Sequence, residues 1–382
     1  MNIPLKNEIE KAALPIEQAS GMPNWFYTSP DAIREEKSRV FSPGWVGVGF
    51  AKDIPEPGDV KPVEFLGDPF ILTHGRDGKI RVFHNACRHR GVKLVQEAGK
   101  TTGLLRCPYH AWCYSTEGAL KQTPHVGGPG IHSHPSIDKA SLGLIEVRSH
   151  VYLDVVFVNI SGDAAPFEEY FAGALERWKE YDKPVYHGGE DSSFKLDVNT
   201  NWKLAVENYC EAYHLPFIHP GLNEVSKLED HENILSDGPF AGQLTRAFTE
   251  FVDDHGRNFA FFEGLSKRWD KEAEYISFYP NVLMGVHKDH TFAIILEPKT
   301  QERTVEHVEL YYASPTMQDD EWSTMRVTNA AFWKGVFTED VGVVEAMQDG
   351  RRADGFDGGH FSPVMDESTH HFHRWMAGQF LA

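Results

Sequence analysis

Two cysteine–histidine motifs between residues 87 and 110 restrict the fold more than any other feature of the sequence. Cys87 and His89 lie in HNACRHRGVKL, and Cys107 and His110 lie in LLRCPYHAW. Each motif follows a short apolar run that is typical of a strand, so each is expected at the tip of a hairpin. A small β domain that brings two hairpin tips together would present two thiolates and two imidazoles to a metal.

Two kinds of metal centre use such donors. Structural zinc sites usually keep like ligands together, as C-x₂₋₄-C with H-x₃₋₅-H. Here each hairpin supplies one cysteine and one histidine, and the Cys87-x-His89 spacing is tight for a zinc knuckle. The pattern favours a two-iron centre in which one iron takes both thiolates and the other takes both imidazoles. Structural zinc is the alternative.

Composition excludes several classes of protein. Hydrophobic residues make up 41% of the 382 residues and the net charge is −19, which argues against general nucleic-acid binding. No stretch approaches the roughly 18 apolar residues of a membrane span, and the first residues lack a signal-peptide core. Four cysteines are too few for a disulfide scaffold, so Cys113 and Cys210 are predicted to be ordinary buried thiols. We expect a soluble, cytoplasmic protein with neither membrane nor nucleic-acid partners.

The hydrophobic patterning predicts an α+β protein with three parts. Residues 1–43 form an N-terminal segment with a helix over Ser29–Phe41, which Ser29 caps. Residues 44–160 contain short apolar runs between turns such as Arg76-Asp77-Gly78 and form an all-β domain. Residues 161–382 form a second domain with an antiparallel sheet flanked by helices.

Within this second domain the patterns are specific. YISFYPNVLMGVH, HTFAIILEPK and TVEHVELYYAS predict three successive strands. The proline-free segment 319–350 predicts a long helix.

A second group of possible ligands lies in NWKLAVENYCEAYHLPFIHP. His214 and His219 are five residues apart, and on one helix they would point about 140° from each other. Pro216 is expected to end the helix after His214, which frees His219 to turn back. Two histidines and one carboxylate are the donors of non-haem Fe(II) oxygenases, whereas two unrelated histidines are the alternative.

The motifs C-R-H-R-G, C-P-Y-H-A-W and E-A-Y-H-L-P-F-I-H-P together resemble those of the catalytic α subunit of Rieske non-haem iron oxygenases, over nearly the whole chain. The resemblance implies a Rieske domain at 44–160 and a catalytic domain of the helix-grip type at 161–382, on which residues 1–43 pack. It implies two groups of ligands, for a [2Fe–2S] cluster and for a mononuclear Fe(II): Cys87, His89, Cys107 and His110 for the cluster, and His214 and His219 for the iron. The additional cysteines of respiratory Rieske proteins are absent, since Val92 and Tyr109 occupy their positions.

The third iron ligand in this family comes from an acidic pair followed by a glutamine. FTEDVGVVEAMQ supplies Asp340, with Gln348 eight residues later. Asp340 is therefore the predicted ligand, and Glu339 and Glu345 are the alternatives.

The resemblance also implies a role for Glu211, one helical turn before His214. The family has a carboxylate here, usually aspartate, that hydrogen-bonds an iron-ligand histidine and a cluster histidine of the neighbouring subunit. Glu211 would then link His214 to His110 of the next chain in a homotrimer.

The implied activity is hydroxylation of a small organic substrate by O₂. GGHFSP…HHFHRW resembles the branch of choline, carnitine and glycine-betaine monooxygenases, so N-demethylation of a quaternary amine is expected. The chain has neither G-x-G-x-x-G after a strand nor C-x₄-C-x₂-C, so electrons would come from NAD(P)H through a separate reductase of the flavin or ferredoxin type. The alternatives are an arene dihydroxylase, a small-carboxylate hydroxylase and a Rieske electron carrier.

Two further groups of side chains, one aromatic and one of histidines, are considered for a role in binding. A quaternary ammonium group would require an aromatic box, because ring faces attract cations. The candidates for that box are Tyr209, Tyr213, Phe217, Phe278 and Tyr279. The histidines of the tail are predicted to be packing and surface residues of a last helix, namely His370, His371 and His373.

Overall fold

The computed structural model describes residues 3–253 and 255–381, which form two compact units. One unit comprises residues 47–163, and the other combines the chain up to residue 46 with the chain from residue 164 onward. The second unit is therefore interrupted in sequence by the first. An all-β unit and a unit of helices around an antiparallel sheet confirm the predicted α+β class.

The inserted unit contains two antiparallel sheets. Its strands are β1 (Val46–Phe50), β2 (Asp59–Phe65), β3 (Asp68–His74), β4 (Ile80–His84), β5 (Gly99–Lys100), β6 (Leu104–Arg106), β7 (Cys113–Ser115), β8 (Leu120–Gln122), β9 (Glu146–Tyr152) and β10 (Val155–Asn159). The larger sheet has the order β1-β10-β9-β4-β3-β2-β5, and the smaller has the order β6-β7-β8. Ile71, Phe83, Leu105 and Tyr114 lie in one buried cluster that joins the two sheets.

The interrupted unit contains the helices and a second sheet. Its helices are α1 (Ile3–Ala12), α2 (Trp25–Thr28), α3 (Pro30–Glu36), α4 (Phe167–Tyr170), α5 (Ala172–Arg177), α6 (Trp202–Tyr209), α7 (Leu215–Ile218), α8 (Pro220–Val225), α9 (Ser323–Gly350) and α10 (Glu367–Leu381). Its strands are β11 (Tyr186–His187), β12 (Ser193–Val198), β13 (His231–Ile234), β14 (Phe240–Thr245), β15 (Ala273–Phe278), β16 (Val282–Val286), β17 (His290–Thr300) and β18 (Arg303–Tyr312).

The second sheet has the order β11-β18-β17-β16-β15-β14-β13, and β12 pairs with β18 as well. The prediction of one strand over YISFYPNVLMGVH was wrong, because this segment forms β15 and β16. Pro280 has no N–H for a strand ladder, so the segment turns at Tyr279-Pro280. Phe278 and Val282 then face each other across the hairpin.

The N-terminal segment packs on the end of the long helix α9. Ser29 caps α3 by accepting a hydrogen bond from the N–H of Asp31 at 3.3 Å, as expected, and a wider helical turn continues to Phe41. The side chain of Gln348 donates to the carbonyl of Tyr27 at 3.0 Å, and Arg351 donates to the carbonyl of Met22 at 3.2 Å. These contacts fix the last turns of α9 against residues 20–30.

Candidate functional site

The loops that carry the predicted cluster ligands share one backbone design. In each loop the cysteine N–H donates to the carbonyl of the fifth residue after it, and the N–H of the fourth residue donates to the cysteine carbonyl. The fourth residue has a positive φ in both cases, 74° at Gly91 and 55° at Ala111. Cys87 and Cys107 therefore occupy equivalent positions in two tight loops.

The four side chains of these loops divide by exposure. Cys87 and Cys107 are each 3% exposed, whereas His89 and His110 lie on the surface of the unit. The two imidazole centroids are 4.7 Å apart, and the ring of Trp112 stacks on His89 at 4.9 Å. Two enclosed sulfurs beside two outward imidazoles fit a cluster with one thiolate-bound and one imidazole-bound iron.

A tyrosine stabilises one of the sulfurs. The backbone N–H of Arg88 donates to the Tyr114 hydroxyl oxygen at 3.0 Å, which leaves the Tyr114 O–H free to donate to Cys87 Sγ at 3.3 Å. Burial raises the pKa of the Cys87 thiol, so a metal is needed to hold it as a thiolate. Cys113 and Cys210 are also buried.

The segment with the two other histidines differs from the prediction. Helix α6 ends at Tyr209, five residues before His214, and α7 begins at Leu215 with Pro216 in its first turn. The prediction that Pro216 ends the helix was wrong, because proline is accommodated in the first turn of a helix, where its missing N–H has no partner. Glu211 thus lies in the loop between α6 and α7 instead of one helical turn before His214.

Three donor atoms meet beside this loop. One ligand atom each of His214, His219 and Asp340 lies within 4.8 Å of the other two. Asp340 Oδ1 is 3.6 Å from Nε2 of His214 and 3.0 Å from Nε2 of His219. The side-chain amide of Asn208 donates to the same oxygen at 3.3 Å. Two imidazoles and one carboxylate at this spacing fit one divalent iron and leave other coordination positions open.

A carboxylate orients each of these imidazoles from behind. Nδ1–H of His214 donates to Glu211 at 2.7 Å, and Nδ1–H of His219 donates to Glu339 at 2.7 Å. Since the ring proton is on Nδ1 in both cases, the Nε2 lone pairs face Asp340. Glu211 also accepts hydrogen bonds from the backbone N–H groups of Tyr213 and His214.

The two alternative carboxylates of α9 therefore have other contacts. Glu339 accepts a hydrogen bond from Nδ1–H of His219. Glu345 accepts hydrogen bonds from the backbone N–H and the side-chain amide of Asn199, both at 2.9 Å. The contact of Glu339 was missed from the sequence, although its position beside Asp340 in the acidic pair was a signal for it.

A pocket lies against the three donors. One part of its wall is aromatic and consists of Tyr209, Tyr275, Phe292, Trp333 and Phe337. A smaller part is polar and consists of Ser226, His231 and Gln243. The pocket can thus enclose an apolar or cationic group beside the metal donors.

Of the five candidate aromatic residues, one lies in this wall. Tyr209 does, whereas Tyr213 and Phe217 are 47% and 75% exposed. Phe278 packs on Phe171 and Trp178, and Tyr279 packs on Phe372 and Trp375.

Of the aromatic wall residues that were missed, two could have been found from the sequence and two could not. Trp333 and Phe337 precede Asp340 by seven and three residues, which places all three on one face of a helix. Tyr275 and Phe292 come from separate strands, and no local pattern indicates that they meet.

The histidines of the tail pack within the interrupted unit. His370 contacts the carbonyl of Leu14 at 3.0 Å, and His371 contacts the carbonyl of Ser236 at 2.8 Å. Nδ1 of His373 accepts from the N–H of Met22 at 2.9 Å. In the part of the chain that the structure describes, the group of three donors at Asp340 is the only one of its kind.

Comparisons with known proteins cover both units. A family model of the Rieske [2Fe-2S] domain matches residues 44–136, and one of the ring hydroxylating alpha subunit (catalytic domain) matches residues 175–381. The carnitine monooxygenase oxygenase subunit of Escherichia coli K12 is 26% identical over 95% of each chain. Choline monooxygenase of Arabidopsis thaliana is 26% identical over 94% of this chain and 83% of that protein.

Solved structures agree on the fold. A quaternary ammonium Rieske monooxygenase in complex with L-carnitine superposes with a TM-score of 0.78 at 22% identity, covering 98% of both chains. Naphthalene 1,2-dioxygenase from Rhodococcus superposes with a TM-score of 0.80 at 18% identity, covering 100% of this chain and 99% of that one. No helix in the described part of the chain has the length and apolar character needed to cross a bilayer.

Proposed function

We propose that this protein is an oxygenase acting on a quaternary ammonium compound. The chain belongs to the ring-hydroxylating alpha subunits and carries a Rieske [2Fe–2S] domain before its catalytic domain. The observation that carries the proposal is the aromatic wall beside His214, His219 and Asp340. Ring faces bind a cation that has no hydrogen-bond donor. The similarity to carnitine and choline monooxygenases supports the same substrate class.

The proposed metal ligands are those at which the donors converge. We assign the cluster to the four side chains of the two loops, Cys87, His89, Cys107 and His110, and the mononuclear iron to His214, His219 and Asp340. When bound, the cluster supplies single electrons and the Fe(II) activates O₂. Glu211 and Glu339 hold the Nδ1 protons of the two imidazoles, and the aromatic wall excludes water from the bound substrate.

The proposed reaction is oxidation of a carbon on the quaternary nitrogen. Hydroxylation of an N-methyl group consumes one O₂, two electrons and two protons and releases one water. The C–N bond of the resulting hemiaminal then breaks, and the products are a tertiary amine, formaldehyde and a proton.

The proposed electron donor is a separate NAD(P)H-dependent reductase of the flavin or ferredoxin type. The family implies such a partner, and the nucleotide-binding and ferredoxin motifs are absent from this sequence. The proposed compartment is the cytoplasm, where NAD(P)H is available.

The proposed assembly is a homotrimer in which each cluster serves the iron of the neighbouring subunit. The outward position of His110 and the contact of Glu211 with His214 support this route. A heterologous contact that closes on itself produces such a ring. Co-expressed His110→Ala and His214→Ala chains should regain partial activity in verified heterotrimers, whereas either variant alone should be inactive. An active monomer would contradict the assembly.

The function is tested by a product screen with a surrogate reductase and NADH. Betaines, carnitine, choline and aromatic acids are tested for O₂ uptake coupled to product, with His214→Ala protein as the matched control. Coupled formaldehyde or amine release supports the proposal, and dihydrodiol formation from an arene supports ring dihydroxylation instead. O₂-independent electron transfer with two iron atoms per chain would identify an electron carrier.

A further inference from the structure

A hydrogen-bonded chain of three side chains lies behind the aromatic wall of the pocket. The indole of Trp333, on α9, forms part of the wall, and its Nε1–H donates to Nε2 of His290 at 2.8 Å. Trp333 and His290 are 5% and 4% exposed, so water does not compete effectively for this bond. The contact determines how the indole ring can rotate.

The proton positions along the chain follow from the donor. An indole nitrogen only donates, so Nε2 of His290 carries no proton and the ring proton is on Nδ1. Nδ1–H then donates to Oδ1 of Asp289 at 2.6 Å, and Oδ2 of Asp289 accepts from the backbone N–H of Phe251 at 3.1 Å. Each oxygen of a fully buried carboxylate is thus used by a different donor.

A second histidine restrains the ring of His290. The imidazole of His287 stacks on it with centroids 4.2 Å apart and planes within 5° of parallel. His287 contacts the hydroxyl of Tyr275, another residue of the pocket wall, at 3.1 Å. His290 therefore lies in a fixed orientation from which it accepts only in the direction of Trp333.

We propose that Asp289 and His290 are positioning residues that orient the indole of Trp333 as the cation-binding wall of the pocket. By fixing the ring, they set the preference for a quaternary ammonium group over a neutral group of the same shape. A hydrogen bond from the indole N–H to a carboxylate-backed imidazole also polarises the ring and makes its face more negative. This inference rests on the proposed function and names residues that specify its substrate.

Asp289→Asn tests the chain without entering the pocket. An asparagine has one oxygen and one NH₂ in place of the two oxygens. The backbone N–H of Phe251 can only donate, so the oxygen of the asparagine side chain must face it. The NH₂ group of the asparagine then faces Nδ1 of His290. The imidazole proton must then move to Nε2, where it opposes the Trp333 N–H and breaks that hydrogen bond.

The experiment measures binding of γ-butyrobetaine and of its neutral-headed isostere 5,5-dimethylhexanoate to the oxidised holoenzyme by anaerobic calorimetry. The two probes share the carboxylate and differ in whether the head is a trimethylammonium or a tert-butyl group. Wild type should prefer the cation. Asp289→Asn should weaken cation binding about tenfold and leave binding of the isostere within about twofold.

Three variants separate positioning from general packing. Trp333→Phe keeps an aromatic face but lacks the N–H, and it should lower the cation preference even if Asp289→Asn folds poorly. The double variant of Asp289→Asn and Trp333→Phe should lose no more of the cation preference than the more affected single variant, because both substitutions break the same hydrogen-bonded chain. Trp45→Phe is the matched control, since it removes an indole N–H that donates to the carbonyl of Ala165 at 3.0 Å outside the pocket wall, and it should leave the cation preference unchanged.

The outcomes distinguish the two proposals. Equal binding of both probes by the wild type would overturn the quaternary ammonium function and this inference with it. A wild-type preference that persists in both Asp289→Asn and Trp333→Phe would overturn only the role of Asp289 and His290. Equal weakening of both probes would assign these residues to packing and overturn the positioning role.

Discussion

The two proposed metal-binding regions differ in how far apart in sequence their donors lie. The proposed cluster donors all lie between residues 87 and 110, and two loops with the same backbone hydrogen bonds present them. The proposed donors to the mononuclear iron come from a loop near residue 214 and from helix α9, about a third of the chain apart. The first site is built by local backbone geometry, whereas the second depends on how distant elements pack.

This difference predicts different responses to substitution. Changes in the loops should affect the cluster alone. Changes at a distance from the pocket should still affect the mononuclear site, because α9 is positioned by contacts with the N-terminal segment.

The largest effect is expected at the proposed iron ligands. His219→Ala or Asp340→Ala should lower turnover at least about 1,000-fold, because each removes a donor to the activating metal. Mononuclear iron should be lost while the visible spectrum and rhombic EPR signal of the reduced cluster persist.

Glu345→Ala is the matched control for Asp340→Ala, since it removes a carboxylate of the same helix that contacts Asn199. It should retain iron and activity. If Glu345→Ala lost the iron and Asp340→Ala did not, the third ligand would be misassigned.

A smaller effect is expected on the stability of the fold, when the buried carboxylate of Glu207 is replaced. Glu207 of α6 accepts from the Tyr27 hydroxyl at 2.5 Å and from Arg351 at 3.3 Å, and it lies 3.4 Å from His373. Burial would raise the pKa of Glu207, but His373 and Arg351 lower it to about 2. Glu207→Gln should reduce the free energy of unfolding by about 3 kcal/mol, measured by denaturant titration at pH 7.

The pH dependence of the wild type follows from the same group. A carboxyl with a lowered folded-state pKa stabilises the protein above its unfolded pKa of about 4.3. The stabilisation from Glu207 should therefore decline as the pH falls from about 4.3 through about 2. In Glu207→Gln this part of the acid-induced loss should be missing, and an unchanged acid profile would contradict the assignment.

Glu211→Gln should have a moderate effect on catalysis. The amide keeps the size of the side chain but is a weaker acceptor for Nδ1–H of His214, so turnover should fall about 10- to 100-fold. Both metal centres should remain visible, and stopped-flow reoxidation of the cluster should slow by the same factor. Loss of the mononuclear iron with unchanged reoxidation would assign Glu211 to metal retention alone.

The smallest effect is expected in the cluster loops. Gly91→Ala should lower the free energy of unfolding of the inserted unit by about 1 kcal/mol, because its φ of 74° disfavours a Cβ. No neighbouring atom lies within 4 Å of a Cβ at Gly91, so the conformation alone determines the cost.

Ala111→Gly is the reciprocal change at the equivalent position, where φ is 55°. It should stabilise the unit by less than about 1 kcal/mol, since glycine relieves the strain but loses more chain entropy on folding. Thermal loss of the cluster absorbance measures both variants. A shift of the same sign in the two would show that the loops are not equivalent.

The comparison also explains what could be predicted from the sequence. The cysteine and histidine motifs were recognisable because each loop uses consecutive residues. Asp340 was predicted through the family resemblance, as no local pattern connects residue 340 to residue 214. The helix boundary at Tyr209 was mispredicted because proline can both end a helix and begin one.

The pocket was the least predictable part of the site. Tyr275 and Phe292 meet through strand pairing in the sheet, and register is determined by the whole sheet. Most of the predicted aromatic box lies outside the pocket for the same reason. Aromatic residues are common in cores, and their number near a motif does not show which rings face a cavity.

The interrupted course of the larger unit has a consequence for its synthesis. Residues before position 47 pack with α9 and α10, which are translated only after the whole inserted unit. At the usual rate of about 5–20 residues per second, the first segment waits roughly 15 to 70 s on the ribosome for its partners. During that interval the apolar side chains of Met22, Phe26 and Tyr27, which are fully buried in the finished protein, have no core to enter. The first segment therefore keeps its apolar side chains exposed until the chain beyond the inserted unit has been translated.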